Sequence, residues 1–272
     1  MRRPSVKTPG FRVVLTLAFV FTIASSVFFE NSAHAQWVSF VDETVAHSDA
    51  PSLRFEDDEN EKDYAWADFD QDGDIDLVVV RKQPFSTNGK RTNVLLMNEG
   101  ISDGHAVNGV LVDYTDMFAT ASTVPGDQGF NTPTNDRDIF VADFNNDGFA
   151  DILTGNIEQR NQLFFGSESM DYKKHIDIST SEDSTFSLDV ADYDNDGDID
   201  IVIGNHNSSN RVYRNTENGL KFIGVDLSAQ TYNTYDIKFI DINNDKHLDI
   251  VEANSEAVNV FYYNTIRSRT EN

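Results

Sequence analysis

The stretch Asp192-Tyr-Asp194-Asn-Asp196-Gly197-Asp198-Ile-Asp200 decides the fold of this chain, because its pattern recurs four times between short apolar segments. Each copy places oxygen-bearing side chains at positions 1, 3, 5 and 9, and a glycine occupies position 6 in all copies except the last. The copies are residues 68–76, 143–151, 192–200 and 241–249. Ca²⁺ takes six to eight oxygen ligands from a tightly turned backbone. The pattern therefore predicts up to four calcium loops.

The predicted ligands are the side chains at positions 1, 3, 5 and 9 and the backbone carbonyl at position 7. They are Asp68, Asp70, Asp72, Asp74 and Asp76; Asp143, Asn145, Asp147, Phe149 and Asp151; Asp192, Asp194, Asp196, Asp198 and Asp200; and Asp241, Asn243, Asp245, His247 and Asp249. An acidic, solvated turn without an ion is the alternative interpretation. Lys246 replaces the glycine of the fourth loop, and both its charge and its side chain at positive φ oppose binding. We expect the weakest affinity there.

The segments that flank the loops distinguish them from EF-hands, which end in Glu at position 12 and lie between helices. Position 12 is Glu only in the last copy, at Glu252. The flanking runs, such as Phe186–Ala191 and Ile199–Gly204, are short and rich in β-branched residues, which indicates strands. The sequence predicts calcium loops between antiparallel strands.

The spacing of the loops predicts an all-β fold, a β-propeller of four four-stranded blades within a single domain, residues 36–272. Successive loops begin 75, 49 and 49 residues apart, and a period near 50 is typical of propeller blades. The fourth repeat lacks a last strand, so we expect Trp37–Val45 to pair with it and close the ring. A ring shared by two chains is the alternative. Eight aromatic residues are predicted to pack between blades: Trp66, Phe140, Phe144, Phe164, Phe165, Phe186, Tyr193 and Phe239.

The N-terminus has the pattern of a secretory signal peptide, residues 1–35. A basic start precedes the apolar run Val13–Phe29, and Ala33-His34-Ala35 forms a cleavage site. An uncleaved anchor is the alternative. We expect a secreted protein, extracellular or periplasmic, with no membrane span after cleavage. The chain has no cysteine, which excludes disulfides and thiol chemistry.

The charge of the chain limits its partners. The formal net charge is −25, which opposes binding to nucleic acids and to anionic membranes. Three long insertions, Ala46–Lys62, Arg81–Thr92 and Ala119–Arg137, are predicted on the face opposite the calcium loops. We expect a glycan or protein ligand on that face of a monomer. The basic insertion Arg81–Arg91 is one candidate contact, and its alternative role is to offset nearby acidic charge.

The repeats resemble the FG-GAP/VCBS-type family, on the strength of Ala67–Leu77 and Ala191–Ile201 and the strands that follow them. Similar repeats occur in integrin α-subunit propellers and in many secreted bacterial proteins. The resemblance implies a calcium-bound β-propeller that serves in adhesion or ligand binding. It covers Trp37–Tyr263.

No catalytic motif is present in the sequence. The histidines lack metal-ligand spacing, and there is no nucleophile elbow and no phosphate-binding glycine loop. His206, on a polar turn with Asn205, Asn207 and Arg211, is a weaker candidate site. The sequence therefore favours a non-enzymatic recognition or adhesion protein. A polysaccharide lyase or hydrolase built on a propeller and a structural spacer without a ligand are the alternatives.

Overall fold

The structure is a computed structural model, and it describes residues 61–82, 90–105, 107–118 and 129–265. The chain divides into two compact units, Met1–Glu43 and Thr44–Asn272, and all described residues belong to the second. The predicted signal peptide and the predicted closing strand Trp37–Val45 lie outside the described residues.

The described residues form fifteen β-strands, because short β-branched and aromatic runs alternate with turn residues along the chain. The strands of the first sheet are β1 (Glu61–Ala67), β2 (Asp76–Arg81), β3 (Val94–Glu99) and β4 (Val110–Asp113). Those of the second are β5 (Asp136–Ala142), β6 (Asp151–Asn156), β7 (Gln162–Phe164) and β8 (His175–Asp177). The remaining strands are β9 (Thr185–Ala191), β10 (Asp200–Ser208), β11 (Arg211–Asn215), β12 (Phe222–Asp226), β13 (Tyr232–Ile240), β14 (Asp249–Ser255) and β15 (Val260–Tyr262).

Helical structure is almost absent from the described part of the chain. It consists of one short α-helix, Thr115–Phe118, and the 3-10 turns Ile101–Asp103 and Gly129–Asn131. The all-β prediction and the antiparallel four-stranded repeat are confirmed. The predicted strands Phe186–Ala191 and Ile199–Gly204 correspond to β9 and the first part of β10, whereas the predicted closing strand lies outside the described residues.

The third and fourth repeats share one seven-stranded sheet, which the sequence does not predict. Its order is β12-β11-β10-β13-β14-β15, and β9 also pairs with β10. The joining pairs are His206 with Asn233 and Ser208 with Tyr232, at the far end of the long strand β10. The equivalent junction between the second and third repeats is a single bridge, Ile157 with Ser184. The seven-stranded sheet is thus an extension of a junction between repeats, and closure into a four-blade ring stays a prediction.

The hydrophobic core lies between successive repeats. Val78, Val80 and Leu95 of the first sheet contact a cluster that includes Ile152 and Phe164 of the second. Further clusters join the second repeat to the third and the third to the fourth; they include Leu153, Leu163, Leu188 and Ile201, and then Val202, Val212, Ile237 and Ile250. Burial of these faces supplies the main driving force that stacks the repeats.

An asparagine just before the third strand adds a buried polar contact in each of the first three repeats. The side-chain oxygen of Asn161 accepts the Asn156 N–H at 2.8 Å, and its amide donates to Thr185 Oγ1 of the next repeat at 2.9 Å. Asn210 repeats this pattern with Asn205 and Thr234. These contacts fix the second strand, the third strand and the following repeat together, and they satisfy buried amides that would otherwise be costly.

Trp66 does not pack between repeats as the sequence predicts. Its side chain is 57% exposed, and so is much of Tyr64 on the same strand. The reason is positional, since β1 begins the first described repeat and no described strand covers this face. Phe140, Phe144, Phe164, Phe165, Tyr193 and Phe239 do join the core clusters, and Phe186 is buried.

All three predicted insertions contribute residues to strands, and Glu61 and Lys62 of the first begin β1. Arg81 ends β2, and Asp136 and Arg137 begin β5. Arg81 and Lys82 are buried, with 6% and 2% exposure, so they are not presented to a ligand as part of the predicted basic cluster. Residues 83–89 of that cluster lie outside the described residues.

Candidate metal centre

Each of the four acidic loops joins the first and second strands of its repeat, as the sequence predicts. The loops follow β1, β5, β9 and β13 and precede β2, β6, β10 and β14. Because these four strand pairs are antiparallel hairpins of the same design, every loop lies at the same end of its sheet.

The first-position carboxylate holds the turn of its own loop. In the third loop, Asp192 Oδ1 accepts the Asp196 N–H and Oδ2 accepts the Gly197 N–H, both at 3.0 Å. The second and fourth loops have the same pair of bonds from Asp143 and Asp241. Asp68 accepts the Gly73 N–H at 3.1 Å. These bonds bend the backbone around the carboxylates and converge their oxygens.

The third, fifth and seventh positions are linked by short-range turns. Asp72 Oδ1 accepts the Asp74 N–H at 2.8 Å, and Asp196 Oδ1 accepts the Asp198 N–H at 3.1 Å. The corresponding bonds from Phe149 and His247 are 3.0 and 2.9 Å. Side chains of Asp and Asn favour such turns because they accept a backbone N–H two residues on. The use of the position 7 carbonyls as ligands stays a prediction.

The backbone adopts positive φ twice in each loop. Position 6 has φ of 99°, 91° and 95° at Gly73, Gly148 and Gly197, and 70° at Lys246. The expectation that Lys246 occupies the left-handed region is confirmed. Position 4 also has positive φ, at Gln71, Asn146, Asn195 and Asn244. Sequence reasoning missed this position, although asparagine in three copies was a usable signal.

The ninth-position aspartates are buried, and each binds two separate backbone segments. Asp151 Oδ2 accepts the Phe144 N–H of its loop at 2.9 Å, and Oδ1 accepts the Gly166 N–H after β7 at 2.8 Å. The same two bonds occur at the other three ninth positions, Asp76, Asp200 and Asp249. The sequence analysis predicts only one role for these aspartates, as calcium ligands. The structure adds a second role, which is to hold the loop against the third strand.

Two loops bring three carboxylates together. Asp68, Asp70 and Asp76 each place an oxygen within 4.8 Å of the others, and so do Asp192, Asp194 and Asp200. The second and fourth loops have Asn145 and Asn243 at position 3, whose amides donate to Asp147 and Asp245 at 2.9 and 3.0 Å. The second and fourth loops therefore have one carboxylate fewer at position 3 than the first and third loops.

Burial and like charges disfavour ionisation in these loops. Desolvation raises the pKa of Asp76 to about 6 and those of Asp151 and Asp200 to about 7, against the lowering effect of the backbone N–H donors. Desolvation and the neighbouring carboxylates also raise the pKa of Asp70 and Asp194. A cation at this point would reverse both effects, because it favours the charged form of every carboxylate.

The residues fit a hard divalent cation. Asp68 Oδ1 and Asp194 Oδ1 are buried and have no hydrogen-bond partner among the described residues. A buried oxygen without a partner costs free energy unless a ligand satisfies it. The donor set consists of carboxylate and amide oxygens, which suits Ca²⁺ or Mg²⁺ rather than a soft metal.

Arg214 is a functional neighbour that the sequence did not reveal. From β11, its Nε lies 2.8 Å from Asp194 Oδ2, and its Nη2 lies 3.3 Å from Asp196 Oδ2. The guanidinium partly neutralises the third loop, and it would compete with a bound cation for the same carboxylates. Only the pairing of β11 with β10 brings it there.

The polar turn around His206 does not form one site. Asn205 is buried and accepts a bond from Thr185, and Arg211 pairs with Asp183 and Asp226 at 2.6 Å. His206 itself stacks on Phe186, with ring centroids 4.9 Å apart. It contributes to a cavity at the end of the sheets opposite the metal loops.

Comparison with known families matches the FG-GAP-like repeat model to residues 143–203 and 192–252. Residues 143–252 therefore contain FG-GAP-like repeats. The two matches contain the second, third and fourth acidic loops. The first loop lies outside them, and it shares their ninth-position bonds and the bond from the first-position carboxylate to the sixth N–H, but not the bond to the fifth N–H. The predicted resemblance to the FG-GAP/VCBS-type family is confirmed, and these repeats indicate a β-propeller-like recognition or adhesion module.

Other comparisons add little to this assignment. A search of curated proteins gives no match. In the described part of the chain, no helix has the length and apolar character needed to cross a bilayer.

Proposed function

We propose that this protein is a secreted, calcium-stabilised recognition module without catalytic activity. The observation that carries the proposal is the pair of oxygen clusters, Asp68-Asp70-Asp76 and Asp192-Asp194-Asp200, each with a buried oxygen that lacks a hydrogen-bond partner. Asp68, Asp70, Asp72 and Asp76 would hold one ion, and the matching positions of the other loops would hold the rest. The ion would neutralise the carboxylates and tie each loop to its strands.

Stability should depend on calcium because binding occurs only in the folded state. A ligand at about 100 times its dissociation constant stabilises a protein by about 2.7 kcal/mol per site. The test is calorimetric titration of metal-free protein with CaCl₂, beside thermal unfolding in CaCl₂ and in a chelator. We expect two tighter and two weaker sites and a higher unfolding temperature with calcium. Absence of calcium uptake together with equal unfolding temperatures would refute the proposal.

Export and a lack of turnover are part of the same proposal. Support comes from the A-x-A sequence at Ala33–Ala35 and from the absence of a catalytic motif in the sequence. N-terminal sequencing of the exported protein should begin at Gln36, and light scattering should give the mass of a monomer. Release of oligosaccharides from acidic or neutral polysaccharides would instead support the enzyme alternative.

A further inference from the structure

A cavity of about 320 Å³ lies where the repeats meet at the end of the sheets opposite the acidic loops. Its walls include Arg137, Glu158, Phe186, His206 and Tyr235. Arg137, Phe186 and Tyr235 lie near the starts of β5, β9 and β13, whereas the acidic loops follow the ends of these strands. The volume is at the lower end of the range of about 300–1,000 Å³ for small-ligand pockets.

Three rings form an aromatic wall of this cavity. Phe186 and His206 stack, with an interplanar angle of 16°, and Tyr235 stands edge-on to both, at 85° to Phe186 and 80° to His206. Phe186 is 9% exposed, whereas Tyr235 is 51% exposed. Phe186 is therefore a packed floor, and the ring of Tyr235 is the aromatic surface that a ligand meets.

A cationic and an anionic side chain lie beside the rings. The guanidinium of Arg137 lies over Phe186, with Cζ 4.9 Å from the ring centroid, and its buried Nε has no hydrogen-bond partner among the described residues. Glu158 supplies an acceptor. The cavity thus combines an aromatic surface, a guanidinium and a carboxylate.

A second cavity of about 250 Å³ adjoins the first and shares Arg137, Phe186 and Tyr235 with it. Its other walls are mainly charged and include Asp138, Asp236 and Lys238. Positive and negative groups lie side by side here, so the pair of cavities has no single dominant charge. A ligand longer than one unit could extend from the aromatic part into the polar part.

We propose that this cavity binds a neutral carbohydrate, with Tyr235 as the stacking surface and with Arg137 and Glu158 as partners of its hydroxyl groups. A sugar ring has an apolar C–H face that packs on an aromatic ring, and each hydroxyl both donates and accepts hydrogen bonds. The net charge of −25 repels a polyanion, and Glu158 adds a local carboxylate, so an uncharged saccharide fits better than a uronate.

A protein partner fits the same features less well. A stable protein interface buries about 800 Å² on each side and centres on an apolar patch. The cavity offers a concave site with closely spaced charges instead. The carbohydrate assignment rests on the recognition function proposed above and names its ligand class.

The test is calorimetric titration of the full chain, in CaCl₂, with neutral oligosaccharides such as cello- and manno-oligosaccharides and with oligogalacturonate as the charged comparison. Tyr235→Ala and Glu158→Gln should each weaken binding of the neutral sugars at least ten-fold. Tyr263→Ala is the matched control, because Tyr263 is an equally exposed tyrosine, 55%, outside the cavity. It should bind as the natural protein does.

Several outcomes would overturn the proposal. They are absence of saccharide binding, binding that Tyr235→Ala leaves unchanged, preference for the uronate, or capture of a protein through Tyr235. Unfolding temperatures are measured with and without calcium on the same samples. They show whether the proposed calcium-stabilised module is wrong or only its proposed carbohydrate ligand. A calcium-stabilised protein that ignores all saccharides would contradict the ligand class alone.

Discussion

The Asn215 N–H donates to Asp200 Oδ1 at 2.8 Å, across fifteen residues of sequence. The second oxygen of Asp200 accepts the Tyr193 N–H at 3.1 Å. One carboxylate therefore joins the acidic loop, the second strand and the end of the third strand. Since the arrangement recurs in every repeat, the ninth position is structural even without a cation.

Asp200→Asn tests this structural role. The amide has only one oxygen, so one of the two backbone N–H groups loses its acceptor. We expect a loss of about 1–3 kcal/mol in the free energy of unfolding, in chelator as well as in calcium. The control is Asp196→Asn, at an exposed position of the same loop, which should affect stability mainly in calcium. Urea denaturation of both variants under both conditions measures the difference, and equal losses in chelator would contradict the role.

The number of carboxylates in a loop should decide how much a calcium ion bound there stabilises the protein. Asp192→Ala and Asp241→Ala each remove two backbone hydrogen bonds of the same kind. In chelator the two variants should therefore lose similar stability. In calcium, Asp192→Ala should lower the unfolding temperature more, because the third loop holds three clustered carboxylates and the fourth contains Lys246. A larger loss from Asp241→Ala in calcium would reverse the ranking of the sites.

Arg214 should weaken the third site. Arg214→Gln removes a cation that lies 2.8 Å from Asp194, so calcium no longer competes with it. An exposed ion pair is worth about 0.2–1 kcal/mol, which corresponds to an affinity gain of about 1.4- to five-fold. Arg160→Gln is the matched control, since Arg160 is equally exposed and pairs with Asp177 away from the loops. Calcium titration should give an unchanged affinity for the control.

Lys246 should lower the calcium affinity of the fourth loop, through its backbone conformation and its charge. Its φ of 70° favours glycine, so Lys246→Gly should stabilise the protein by about 0.5–1 kcal/mol in chelator. Lys246→Asn separates the two effects, because asparagine is neutral and tolerates this φ. Both variants should bind calcium more tightly than the natural protein. If neither changes affinity, the charge of Lys246 does not act on the ion.

Asp136 should make stability depend on pH. It is fully buried, and desolvation raises its pKa to about 7, although Thr134 and Asn93 donate to it. For an acid whose pKa is raised by folding, the folded state binds the proton more tightly, so stability falls as pH rises from about 4 to 7. The matched residues of the next two repeats are Thr185 and Thr234, which accept the equivalent asparagine bonds.

Asp136→Thr should therefore stabilise the protein at pH 8, by about 4 kcal/mol at most, because burial raises the pKa of the Asp136 carboxyl from 3.8 to about 7 and one pKa unit corresponds to about 1.4 kcal/mol. The gain should shrink toward pH 5, where Asp136 is protonated in the folded state. Urea denaturation at both pH values, in calcium, checks this. A gain that is independent of pH would mean that packing, not ionisation, sets the cost of Asp136.

The residues of the cavity at Tyr235 could have been predicted only in part from the repeat pattern. Arg137, Phe186 and Tyr235 occupy one position, six residues before the loop, in three successive repeats. Alignment of the repeats on their loops could have grouped them. Their side chains differ in type, however, and the pattern gives no sign that β5, β9 and β13 approach each other. Packing of the repeats, not spacing, brings these residues to one cavity.

The sequence by itself determined the loops, the hairpins around them and the positive φ of Lys246. These features depend on residues within about ten positions of one another, where turn chemistry and strand periodicity are local. Only the tertiary structure decided the second partner of each ninth-position aspartate, the approach of Arg214, the seven-stranded sheet and the exposure of Trp66. Those depend on which strands lie side by side, and the burial of apolar faces between repeats selects that arrangement through contacts distant in sequence.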